Sequence, residues 1–193
     1  MPREEVEFSS AKKPWRTIRS RRLVEVGEVK LFEDSLISQA GLRNKHLRLM
    51  LNDFSVIVPV LDDGRLIFEW NYRHALNGWE LELPAGLVEN GEDALKCAKR
   101  ELSEETGYSA KSWKKIGWVH TLPGITGQRA HLFLAKNLDA GKAHPEPVEI
   151  MSVETLPVKR AYQLLHHGRI VHAPTVVAMS FAEDVLLNPR HGR

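Results

Sequence analysis

The most constraining stretch of the chain runs from Gly86 to Tyr108, GLVENGEDALKCAKRELSEETGY. Residues 92–106 are rich in Ala, Leu, Lys, Glu and Arg, with no proline and no internal glycine, so composition predicts a helix over that span. Gly91 and Gly107 bracket it, and Gly107 is placed to take the left-handed conformation that closes a helix. Ala94, Leu95, Ala98 and Leu102 recur at helical spacing and form the expected buried stripe. Glu101, Glu104 and Glu105 then fall at i, i+3 and i+4, on one face and close enough to share a ligand. Three carboxylates within a turn repel one another, and the dipole at a helix C-terminus disfavours them further. Arg100 can neutralise part of the cluster. A hard divalent cation such as Mg²⁺, which prefers carboxylate oxygens and keeps waters for a phosphate substrate, suits it better. The competing use of these residues is a solvated acidic face paired with Lys96 and Lys99.

These residues resemble the signature box of the Nudix hydrolases. Gly86, Glu92, Arg100, Glu101, Leu102, Glu104, Glu105 and Gly107 stand where the box requires them, and only Tyr108 replaces a usual aliphatic residue, at a packing position. A match at this many spaced positions is far more specific than a lone glycine motif. The preceding ELPAG (82–86), with Pro123 fifteen residues beyond the box, is similar to the ADP-ribose pyrophosphatase branch. The C-terminal AYQLLHHGRIVHAPTVVAMSFA is similar to the helix, basic turn and second helix that end that branch.

The resemblance implies an α/β fold, the Nudix α/β/α sandwich with a mixed sheet, over 46–193, preceded by a small N-terminal β extension over 1–45 available for dimer exchange. It implies Glu101 and Glu105 as metal ligands, Glu104 as a further ligand or neighbouring carboxylate, and the Ala85 carbonyl as an additional ligand. Arg100 would orient the glutamates and Glu92 would pair with Arg100. The catalytic base would come from the loop at 141–149, GKAHPEPVE, with Glu146 preferred over Glu149. Arg73, Glu82 and Pro123 fall at substrate-side positions. Gln128 stands where the branch often carries a glutamate. The implied reaction is Mg²⁺-dependent hydrolysis, with Mn²⁺ a substitute, of ADP-ribose to AMP and ribose 5-phosphate. GDP-mannose or another nucleotide sugar is the alternative substrate. A nucleotide-sugar-sensing module without catalysis is the alternative class, and such modules usually lack box glutamates that this chain keeps.

The rest of the sequence agrees with a single small enzyme. Its 193 residues with 42% hydrophobic content can bury one ordinary core. A net charge of +2 argues against a nucleic-acid partner and against an RNA-end hydrolase. The resemblance to the Nudix hydrolases implies a small nucleoside diphosphate as the partner and a homodimer as the assembly. Cys97, the one cysteine, offers neither a disulfide framework nor a thiolate metal site. The N-terminal residues contain no apolar leader and no segment approaches the roughly twenty apolar residues of a spanning helix, so the expectation is a cytoplasmic protein. Alternation and turn residues predict strands at 22–33 as a pair, 46–51, 54–60, the run RLIFEWNYR after the Asp63-Gly64 turn, 79–83, 112–120 and 128–135. Helices are expected across 157–167 and 174–187, with Pro157 and Pro174 in their first turns. Trp15, Phe32, Tyr72 and Trp79 are candidates to stack on a nucleobase. The nine histidines, His166-His167 included, show no zinc-ligand spacing.

Overall fold

The computed structural model describes residues 13–144 and 150–187. Contacts divide these residues into two compact units, one of 13–51 with 122–127 and one of 52–121, 128–144 and 150–187.

In the first unit, β1 (Trp15–Val26), β2 (Val29–Ser38) and β3 (Arg43–Met50) form an antiparallel meander in the order β1-β2-β3. Gly27, at φ 54°, serves the tight turn between the first two strands. Strand β1 begins well before the expected residue 22, and two register irregularities, between Thr17 and Arg19 and between Arg22 and Val24, break the alternation along it. Arg48, Asp34 and Ser20 meet across three strands, with Arg48 Nε 2.7 Å from Asp34 Oδ2. The 122–127 segment joins this unit through the Leu49 N–H, which donates to Ile125 O at 2.8 Å.

The second unit holds two sheets. One has the order β10-β5-β6, from β5 (Arg65–Arg73), β6 (Gly78–Glu82) and β10 (Met151–Pro157). The other has the order β7-β4-β9-β8, from β4 (Phe54–Pro59), β7 (Ala85–Leu87), β8 (Tyr108–His120) and β9 (Arg129–Ala140). The second sheet is mixed, since β4 runs parallel to β9 while β7 and β8 are antiparallel to their neighbours. Three helices complete the unit: α1 (Ala94–Thr106), α2 (Val158–His166) and α3 (Ala173–Leu187).

The unbroken apolar run of β4 has a direct cause. Val56 and Val58, with Leu132 and Leu134 of β9, pack into one cluster with Ala178, Met179 and Ala182 of α3. The intervening Ile57, Phe133 and Ala135 pack into another with Ala98 and Leu102 of α1. Successive strand residues point to opposite faces, so a strand covered by helices on both sides must be apolar at every position. This is the expected α/β/α sandwich, with Ala94 and Leu95 packed at the margin of the α1 cluster.

Helix boundaries also differ from expectation. Helix α1 starts at Ala94, not Glu92, because the Asp93 carboxylate caps it by accepting from Leu95 N at 3.0 Å and Lys96 N at 2.9 Å. That leaves Glu92 in the preceding loop. Pro157 ends β10 and caps α2 without entering it, whereas Pro174 lies in the first turn of α3 as expected. No helix of the described residues is long and apolar enough to cross a membrane.

Candidate active site

Strand β7 and the inner face of α1 lie side by side, and the box residues fill the space between them. Gly86 permits this approach: a Cβ there would lie 1.9 Å from Glu101 Oε1. Glu105 reaches the same strand and accepts from Ala85 N at 3.1 Å. Both carboxylates are buried, at 7% and 4% exposure. The Cys97 thiol donates to Gly86 O at 3.3 Å, and burial pushes it up to about 11, so it is protonated and unreactive at neutral pH.

Arg100 is the hub. Its Nε and Nη2 fork onto the two oxygens of Glu92, each at 3.1 Å, and Nη2 also donates to Leu87 O at 3.0 Å. Its Nη1 lies 2.8 Å from Glu101 Oε1 and 3.0 Å from Glu104 Oε2. The Glu92 hydrogen bonds foremost, then the neighbouring carboxylates, hold this guanidinium protonated far above its ordinary range. The same bonds hold the Glu92 carboxyl below the usual carboxylate range, and a further one from Glu89 N at 3.1 Å fixes the loop. Countercharge for the acidic face therefore comes from Arg100. Lys96 instead lies 3.8 Å from Asp93.

Among the described residues no three His, Cys, Asp or Glu side chains are already gathered into a chelating array, since Arg100 draws Glu101 and Glu104 toward itself. The donor chemistry nevertheless suits a hard divalent cation. Glu101 occupies a cradle that a Cβ at Gly86 would fill, Glu105 lies one turn on, and every group on offer is an oxygen, with the thiol engaged elsewhere. Glu101, Glu104 and Glu105 could hold such an ion after exchanging Arg100 contacts for it.

The other expected site residues are distributed unevenly. Arg73 and Glu82, at the ends of β5 and β6, bind each other as a fork, with Arg73 Nε 2.7 Å from Glu82 Oε1 and Nη2 on Oε2. Glu82 is fully buried while the Arg73 side chain is 47% exposed. Hydrogen bonding to Glu82 raises the Arg73 pKa, and the charge of Glu105 adds to it. Glu146 and Glu149 lie outside the described residues. The chain leading to them is docked on the end of α1, where His144 N donates to Glu104 O at 2.8 Å and Gly141 N to Gly107 O at 2.7 Å. Gly107 makes this docking feasible, for its φ is 76° and a Cβ there would lie 2.6 Å from Ala143 N. Pro123 belongs to the 122–127 segment of the other unit. The Gln128 amide ties Asn52 O, at 2.7 Å, to the Thr121 hydroxyl, at 3.1 Å.

Of the aromatic candidates, Trp79 is half exposed and meets Tyr72 edge-on at 5.7 Å, Phe32 lies under the Arg48 guanidinium at 4.6 Å, and Trp15 belongs to β1. His172 and Thr175, which no motif in the sequence marks, join Glu82: His172 Nδ1 is 2.9 Å from Thr175 Oγ1 and 3.6 Å from Glu82 Oε2. Their one sequence signal is a polar residue three positions before a threonine at the start of a helix.

The carboxylate-rich site lies within the stretch of chain that a family comparison matches. The sequence profile of the NUDIX domain family matches residues 52–178, and the chain belongs to this family of hydrolases. It is 33% identical over 129 residues to the ADP-ribose pyrophosphatase of Bacillus subtilis (strain 168), covering 66% of this chain and 70% of that protein. It is also 28% identical over 173 residues to the methanol dehydrogenase activator of Bacillus methanolicus, covering 87% and 92%. Among solved structures, the crystal structure of an ADP compounds hydrolase superposes with a TM-score of 0.83 at 20% identity, covering 94% of this chain and 98% of that one. At that identity the superposition establishes the shared fold.

Proposed function

We propose that this protein is a cytoplasmic, homodimeric hydrolase of the diphosphate bond in nucleoside diphosphate sugars, with ADP-ribose as the preferred substrate and AMP and ribose 5-phosphate as products. The observation that carries the reading is the set of box carboxylates on α1, with Glu101 and Glu104 drawn to Arg100 and Glu105 held on the Ala85 amide of β7. The substrate class rests on the similarity to the Bacillus subtilis ADP-ribose pyrophosphatase. The dimer rests on β1, where all twelve residues are exposed, Val24 and Val26 included, as on a strand with an uncovered face.

Water attacks one phosphorus of the diphosphate and the bridging P–O bond breaks. Glu101, Glu104, Glu105 and the Ala85 carbonyl would hold a divalent cation, Mg²⁺ or Mn²⁺, which when bound would neutralise phosphate charge and acidify water. Glu146 takes the proton from the attacking water. Arg100 holds the glutamates in register with β7. Arg73, fixed on one edge by Glu82 and open to solvent on the other, offers its remaining N–H groups to a substrate phosphate.

The test is a hydrolysis panel with Mg²⁺ across ADP-ribose, GDP-mannose, other nucleotide sugars, NADH, diadenosine polyphosphates and nucleoside triphosphates, read by phosphatase-coupled phosphate release. A lead for ADP-ribose is expected. A lead for GDP-mannose would replace the substrate and keep the chemistry, and an inactive protein would favour a sensing module.

A further inference from the structure

Behind the Arg73–Glu82 fork lies a buried polar network that no step of the proposed reaction uses. His172 precedes α3 and acts as its N-cap, with its carbonyl accepting from Val176 N at 3.0 Å. Its side chain is only 18% exposed and faces inward. Thr175, fully buried one turn into the helix, accepts from Leu83 N at 2.9 Å through Oγ1. Leu83 opens the Leu83-Pro84-Ala85-Gly86 run that carries the backbone to Glu105 and Glu101. One network thus touches both the Arg73–Glu82 fork and the strand that lines the carboxylates.

Proton inventory decides how the network works. One lone pair of the Thr175 oxygen is taken by Leu83 N–H, and the hydroxyl proton needs an acceptor. His172 Nδ1 at 2.9 Å is that acceptor when the imidazole is neutral and carries its proton on Nε2. In that state both Glu82 oxygens serve Arg73. The charged groups facing the ring are Glu82 from β6 and Arg73 from β5, and Thr175 is its neutral partner on α3. Burial of the ring is the largest influence and lowers its pKa from the ordinary 6.5, against the pull of Glu82, so the neutral form prevails at neutral pH.

We propose that His172 is a positioning residue for the hydrolase site: neutral, it fixes Thr175 on Leu83 and leaves Glu82 to Arg73; protonated, it draws Glu82 away from Arg73. Protonation turns Nδ1 from acceptor to donor, 3.6 Å from Glu82 Oε2, and deprives the Thr175 hydroxyl of its acceptor. Arg73 then loses the partner that orients it, and the Leu83 amide loosens. The effect on turnover rests on the substrate reading above; the effect on Leu83 does not.

The test compares wild type, His172→Asn and His172→Ala. Asparagine keeps an acceptor and a capping side chain but does not titrate. With ADP-ribose and Mg²⁺, kcat/KM of wild type should fall as pH drops through a value below 6.5. The loss should lie mainly in KM, because Arg73 contacts substrate phosphate. His172→Asn should abolish that acid limb and rescue activity at pH 8 to within about twofold, whereas His172→Ala should lose about tenfold, the order of one hydrogen bond. An unchanged acid limb in His172→Asn would overturn the proposal. Independently of turnover, NMR titration should show the Leu83 amide moving with the pKa of the His172 ring in wild type and staying still in His172→Asn. A Leu83 amide indifferent to His172 would overturn the proposal even in an active enzyme. Coupled resonances in a protein that does not cleave ADP-ribose would uphold it and retire only the substrate reading.

Discussion

At the scale of single residues, the site is built by groups that prevent one another from moving. Gly86 is the clearest case, since any side chain there would occupy the place of the Glu101 carboxylate. Gly86→Ala should therefore lower kcat on the order of a hundredfold, as displacement of a reacting group by about an ångström does, with a smaller change in KM. Steady-state kinetics checks this, and a kcat within twofold of wild type would contradict it. Glu92 carries a prediction of pH dependence. Arg100 depresses its pKa below the ordinary 4.5, so its contribution to stability is full above that value and is lost as pH falls through the depressed one. Glu92→Gln should cost about 2 kcal/mol at pH 7, typical of a hydrogen bond to a charged group, and the deficit should vanish in acid. Urea unfolding at pH 7 and at successively lower pH below 4.5 reads both arms. Most of these side chains were legible in the sequence because the box spacing fixes residue types to positions. His172 and Thr175 were not, since their importance arises where a helix start meets a strand end ninety-two residues apart in the pair Leu83–Thr175.

At the scale of elements, α1 is held at both ends by features with separable energetics. Asp93→Ala removes a cap that satisfies two amides and should cost about 1 kcal/mol without altering the face that carries Glu101 and Glu105. Chemical denaturation should record that loss with kcat preserved. The elements legible from sequence are those whose environment imposes a pattern. Strands β4 and β9 read clearly because helices cover both their faces, and α1 read clearly because its composition and flanking glycines agree. Strand β7 did not stand out, having only three residues with a glycine at its centre, and it exists because Phe54, Ser55 and Val56 of β4 offer it partners. Strand β10 was equally hard to see. Its sequence, MSVETLP, has mixed polarity and is paired along its length to β5. The extra residues of β1, β8 and β9 lie beyond their apolar runs and are sustained by neighbouring strands rather than by burial.

At the scale of the whole molecule, β1 leads to a prediction about assembly. A strand with Leu23, Val24 and Val26 exposed on a 21.9 kDa chain should be covered in solution by a second copy. Light scattering should return twice the chain mass, and the double variant Val24→Lys, Val26→Lys should return the single mass. A monomeric wild type would contradict this assignment without touching the chemistry of α1. Cleavage of a nucleoside diphosphate sugar by the α1 carboxylates with a divalent cation is tested by the initial rate of AMP release from ADP-ribose across a Mg²⁺ titration, for wild type and Glu105→Gln. Saturable dependence on Mg²⁺ is expected, with a fall in kcat of at least about a hundredfold in the variant and KM changed far less. Turnover that ignores Mg²⁺, or a Glu105→Gln enzyme as fast as wild type, would contradict it.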